Sequence, residues 1–194
     1  MKSILLLMGC FYFCKPLYAQ NADINLLKKI NPQYPNSGAI RALTSSVYPV
    51  SLATPISLLT TGLIKKDKEL QYKGLESIGS LAVNTVITLG LKYTINRQRP
   101  YDKYPGIIFP YSIETDPSFP SGHTSMAFAT ATTLSLEFKK WYVVVPAYAW
   151  AAGVGYSRMY LGEHYPSDVI AGAVVGAGSA WLSHWATQKL FHKK

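Results

Sequence analysis

The stretch FPSGHTS, residues 119–125, opens a run of small and apolar residues that continues to Phe138. Pro120, Ser121 and Gly122, ahead of a segment with no period-two alternation, spell a helix start and not a strand. A helix beginning here leaves backbone N–H groups free at its N-terminus and sets the Ser121 hydroxyl beside them. Gly122 lets a ligand approach the backbone closely. His123 then stands at the rim, where it can exchange a proton with an anion held by those groups. Taken alone, the same residues are ordinary helix-capping chemistry.

The pattern repeats outward along the chain. Segments 43–64, 75–95, 124–138, 141–159 and 169–190 are apolar and lack alternation, and several are too long for strands. The expected fold is all-α, a helical bundle of about five core helices in one domain over 43–194. Residues 20–42 are polar and turn-rich, with a short amphipathic piece at 24–30 and breakers at Pro32, Pro35 and Gly38. They read as a surface arm. The proline-rich stretch 98–120 reads as a loop over a site. Lys2, the apolar run 4–13 and Leu17-Tyr18-Ala19 make 1–19 a signal peptide or, if uncleaved, an N-terminal anchor. Both cysteines, Cys10 and Cys14, fall inside it, so the rest of the chain has neither disulfide nor thiol chemistry.

With 19 basic residues against 10 acidic ones, the net charge of +9 calls for anionic partners. The basic residues are scattered in small groups with no nucleic-acid-reading module among them, so nucleic acid is not expected as a partner. A hydrophobic content of 48% and 14 tyrosines suit a surface that is half wet and half apolar. Lys65, Lys66, Lys68 and Lys73 lie between the first two segments, Lys139 and Lys140 between the third and fourth, and Lys189, Lys193 and Lys194 near the end. If the segments alternate in direction across a bilayer, all three groups fall on one side, as required of a cytoplasmic face. The histidines, arginines and aspartates of interest then face the exported side. Gly172 and Gly176 add the spacing of a close helix–helix contact. The other reading is a soluble bundle whose far end is lysine-rich.

Two further groups carry chemistry. In LKYTINRQRP, Lys92 and Arg99 are seven residues apart, two helical turns, near a helix end that Pro100 terminates. Two cations in fixed relation suit a dianion, although such a pair alone is equally an ordinary basic helix end that complements the dipole. In SRMYLGEHYPSD, Arg158 closes one apolar segment, His164 follows, and Pro166 fits the first turn of the last helix, which also holds Asp168. A carboxylate there can accept an imidazole N–H, fix the tautomer and leave the other ring nitrogen as a nucleophile, while an Asp at a helix start is also common capping chemistry. A metal site is not expected, because no cysteine and no second histidine at helical spacing complete a ligand set.

Taken together, Lys-x6-Arg-Pro (92–100), Pro-Ser-Gly-His (120–123) and Ser-Arg-x5-His-x3-Asp (157–168) closely resemble the three-part signature of the type-2 phosphatidic acid phosphatase superfamily. The resemblance implies a bundle with the three motifs gathered at one end and a phosphatase that uses no metal or other cofactor. His164 would be the nucleophile, Asp168 its orienting partner and His123 the leaving-group acid. Lys92, Arg99 and Arg158, with Ser121 and the Gly122 backbone, would hold the phosphoryl oxygens. The implied partners are a phosphorylated lipid and a membrane, placing the protein in a bacterial inner membrane with its site on the periplasmic side. Lipid A phosphate is the preferred substrate, with undecaprenyl diphosphate and phosphatidylglycerophosphate next. A soluble periplasmic acid phosphatase and a catalytically silent lipid-binding protein are the alternatives.

Overall fold

A computed structural model describes residues 16–191; most of the expected leader lies outside them. The order is α1 (Pro16–Ile30), α2 (Gly38–Ser45), α3 (Val47–Ile64), α4 (Lys68–Ile95), the one-turn α5 (Pro100–Lys103), α6 (Gly122–Phe138), α7 (Trp141–Tyr160) and α8 (Pro166–Phe191). No strand occurs among the described residues. The all-α expectation holds, and α3, α4, α6, α7 and α8 are its five long helices.

Boundaries follow local chemistry. Asp67 caps α4, its Oδ1 accepting the Glu69 and Leu70 N–H groups at 2.9 and 3.2 Å, so this helix starts two turns before the apolar pattern does. Asn96 and Lys139 end α4 and α6 in left-handed conformation, each N–H closing on a carbonyl of the last turn.

Helix α6 is the hub, packed against α8 most extensively and also against α4 and α7. Gly172 and Gly176 make its approach to α8 possible. A Cβ added at Gly176 would lie 2.1 Å from the Ser125 carbonyl oxygen, and one at Gly172 would lie 2.6 Å from that of Ser121. Hydroxyls replace bulk elsewhere in the interior: Thr130 donates to Ser51 at 2.8 Å and Thr133 to Ser80 at 3.0 Å.

The 20–42 segment is not confined to the surface. Ile24 and Leu27 of α1 are buried with Tyr101, Ile108 and Tyr165. Asn31 donates to the Phe109 and Tyr160 carbonyls, both at 2.9 Å, and accepts the Phe109 N–H at 2.8 Å. The polar composition of the segment hid a narrow apolar face that secures the 104–120 loop.

Residues Gly38–Ile64, Lys68–Lys103 and Pro166–Lys189 are long and apolar enough to cross a bilayer, and most of each stretch is not buried inside the protein. Ile56, Val86, Ile170 and Val174 are among the large apolar side chains that these helices turn outward. Such a continuous outward apolar face is that of a membrane protein.

Candidate active site

Four helix ends meet at one end of the bundle: the C-termini of α4 and α7 and the N-termini of α6 and α8. They enclose a cavity of about 270 Å³ whose lining includes Lys92, Arg99, Gly122, His123, Arg158 and His164. Six of the eight residues expected at the site therefore face one space, although up to 72 positions separate them in sequence. Ser121 and Asp168 are fully buried behind it.

His164 is held between α7 and α8 by a turn that needs Gly162. This glycine has φ +71°, and an added Cβ would lie 2.4 Å from the Phe109 carbonyl oxygen. Asp168 stands one helical turn on from His164, its Oδ2 3.6 Å from His164 Nδ1, just beyond hydrogen-bond length. Its oxygens are engaged elsewhere. Oδ1 accepts from Arg97 at 2.5 Å, while Oδ2 accepts the Tyr165 N–H at 2.9 Å and the Ser118 hydroxyl. Arg97 in turn pairs with Asp23 of α1 at 2.9 Å and stacks over the Tyr165 ring at 3.9 Å.

The cations are paired as well. Asp116 bridges Lys92 at 2.8 Å and Arg99 at 2.5 Å, and Arg99 also donates to the Asp116 and Glu163 carbonyls at 2.9 and 3.0 Å. Arg158 pairs with the buried Glu163 and donates to Thr44 at 2.8 Å, while its Nε, also buried, has no partner. Ser121 accepts from the Thr124 hydroxyl at 2.9 Å and spends its own N–H on the Asp168 carbonyl at 3.0 Å. Its hydroxyl hydrogen is left to donate.

Burial drives the electrostatics of both histidines. It pushes His164 down to about 4, with the charges of Arg158 and Arg99 adding to the effect and Asp168 opposing it. His123 is driven down to about 3, first by burial and then by Arg158, His164 and Arg99. Both imidazoles are neutral near pH 7. For Asp116, burial is outweighed by the hydrogen bond and charge of Lys92 and by Arg99, which bring its carboxyl to about 2.

A neutral imidazole backed by a carboxylate, a second imidazole and three cations around a small cavity form an arrangement suited to a tetrahedral dianion. Residues 73–192 match the profile of the PAP2 superfamily. The chain belongs to the PAP2 superfamily. A lipid A 4'-phosphatase of Bacteroides thetaiotaomicron is 39% identical over 72 residues, 37% of this chain and 32% of that protein. An undecaprenyl-diphosphatase of Sulfolobus acidocaldarius is 35% identical over 119 residues, 59% of this chain and 57% of that one. The crystal structure of Aquifex aeolicus LpxE superposes with a TM-score of 0.68 at 27% identity, covering 84% of this chain and 95% of that chain. The alignments thus reach about a third of one curated relative and little more than half of the other.

Within this PAP2 chain, sequence reasoning missed Asp23, Arg97, Asp116, Ser118 and Glu163. Arg97 is a third basic residue beside an expected pair and left a signal in RQRP. Asp116 and Asp23 left none, because their partners are set by how the loop and α1 fold back.

Proposed function

We propose that this protein is a phosphatase that removes phosphate from a membrane lipid at the periplasmic face, through a phosphohistidine intermediate. The observation that carries the lipid reading is where the cavity opens. Tyr48 of α3, Leu89 of α4 and Met126 of α6 line it, and α3 and α4 lie in bilayer-length apolar stretches. Tyr48 and Leu89 are both exposed. About 270 Å³ holds a phosphorylated head and leaves the chains outside, against the apolar helix faces.

In this reading the neutral His164 attacks phosphorus through Nε2, forming the N–P bond as the ester P–O bond breaks. His123 gives its proton to the departing alkoxide. His123 takes up that proton from solvent as the dianion enters, because a negative group beside it favours the charged imidazole against the burial and the cationic field that otherwise keep it neutral. Water then attacks phosphorus, the N–P bond breaks, His123 takes the water proton and inorganic phosphate leaves. Asp168, drawn in from 3.6 Å, stabilises the charge that the His164 ring acquires. Lys92, Arg99, Arg158, the Ser121 hydroxyl and the Gly122 N–H offset the charge on the equatorial oxygens.

Lipid A phosphate is the preferred substrate, supported by the Bacteroides relative. Undecaprenyl diphosphate is the second reading, favoured by the longer alignment with the Sulfolobus protein. Mass spectrometry of membrane lipids from cells with and without the gene separates them. Lipid A carrying one phosphate fewer when the gene is present supports the first, and a change confined to the polyprenyl pool supports the second. The lysine connections 65–73 and 139–140 lie opposite the cavity and support a periplasmic site. A cysteine replacing Lys103 should react with an impermeant thiol reagent in spheroplasts, and one replacing Lys140 should not.

A further inference from the structure

At the other end of the bundle, three helices bring together side chains that the phosphate chemistry does not use. Glu76 of α4, Glu137 near the end of α6 and His184 of α8 place their ligand atoms within 4.8 Å of one another. His184 Nδ1 is 2.8 Å from Glu76 Oε1 and 3.6 Å from Glu137 Oε1. The two carboxylate side chains are 3% and 8% exposed, so neither is a solvated surface acid. They line a cavity of about 510 Å³ with Tyr72, Lys139 and Thr187, roomy enough for an ion and its waters.

Among the described residues, no lysine or arginine forms an ion pair with Glu76 or Glu137. The nearby Lys73 is engaged by Glu69 at 2.7 Å and lies over the Phe138 ring at 5.0 Å. Two buried carboxylates facing one imidazole repel unless a cation or a proton stands between them. One nitrogen and two carboxylates, with a fourth position open to water, are a donor set for a borderline divalent ion. Calcium and magnesium favour all-oxygen sites. Donors about 3.3 Å apart suit tetrahedral bonds of about 2.0 Å, so side-chain shifts of an ångström or so close the site.

We propose that Glu76, Glu137 and His184 form a divalent transition-metal site, best matched to Zn²⁺, that clamps α4, α6 and α8 at the end away from the phosphate cavity. It is structurally separate from the phosphate site and does not depend on the proposed phosphatase reaction.

The test uses the full chain without an affinity tag, in detergent, stripped with EDTA and titrated with ZnCl₂. Metal retained after gel filtration is counted, and thermal unfolding is followed with and without Zn²⁺. Glu137→Gln and His184→Ala should each bind one equivalent fewer than the parent and lose the Zn²⁺-dependent rise in melting temperature. Zinc bound elsewhere, at the phosphate-site histidines for example, is unchanged in these variants and does not mimic that loss. If His184→Ala does not fold, the near-isosteric Glu137→Gln decides alone. The proposal is overturned if the parent takes up no zinc, or if the variants bind as much as it does; the cluster then shares a proton instead.

Discussion

The Asp168 carboxylate stops 3.6 Å short of His164 Nδ1 while Arg97 holds its other oxygen at 2.5 Å. Arg97 is itself anchored by Asp23, so the position of the carboxylate depends on α1, far away in sequence. Arg97→Gln should therefore let Asp168 drift. A displacement near 1 Å costs about 10²-fold in rate. The expected result is a fall of that size in kcat with KM little changed, because Arg97 does not line the cavity. A raised KM at constant kcat would instead place Arg97 on the substrate.

Asp116 occupies the two cations that a phosphoryl group would need, and its side chain is 40% exposed. Replacing it with Asn removes an anionic competitor. A hydrogen bond to a charged group is worth about 1.5–3 kcal/mol, so product inhibition by inorganic phosphate should tighten by roughly tenfold or more. If phosphate binds more weakly to Asp116→Asn, the carboxylate orients Lys92 and Arg99 and does not compete for them.

The histidine shifts set the pH profile. His164 must be neutral to attack, and burial lowers it from 6.5 to about 4. With the substrate's own second ionisation factored out, kcat/KM for 4-nitrophenyl phosphate should hold as pH falls through 6.5 and drop tenfold per unit only below about 4. This ester also needs no leaving-group proton, so His123→Ala should slow it far less than it slows an alkyl phosphate, where general acid catalysis contributes about 10²–10⁴-fold. An acid limb with its midpoint near 6.5 would mean that His164 is solvated and charged.

Packing at the α6–α8 contact can be tested with two glycines on one helix. An added methyl at Gly176 meets backbone atoms of Ser125 and Ala129 at 2.1 and 2.8 Å, whereas nothing lies within 4 Å of one at Gly178. Gly176→Ala should destabilise by about 1–3 kcal/mol. Gly178→Ala should be neutral or stabilise by up to about 1 kcal/mol. Thermal unfolding in detergent checks both, and equal effects would remove the close approach.

How much of this was legible depends on whether the signal was local. The five long helices announced themselves because apolar runs without alternation exceed strand length, and the site residues because three motifs, each ordinary alone, together resemble one family signature. The early start of α4 was hidden, since its first turns are polar and rest on an Asp67 cap. The buried face of α1 was hidden because only Ile24 and Leu27 carry it within a polar segment. The carboxylates that occupy the cations were invisible for another reason. Asp116 reaches Lys92 and Arg99 only after the 104–120 loop folds back over α4, and no spacing rule encodes that return.

His164 as the nucleophile is tested most directly by trapping the intermediate. Parent protein and His164→Ala are mixed with a lipid substrate labelled on the phosphoryl group, quenched, and assayed for acid-labile, base-stable phosphate on the chain. Label on His164 in the parent and none in the variant is the expected result. Equal labelling of the two proteins, or turnover that survives His164→Ala, would contradict it.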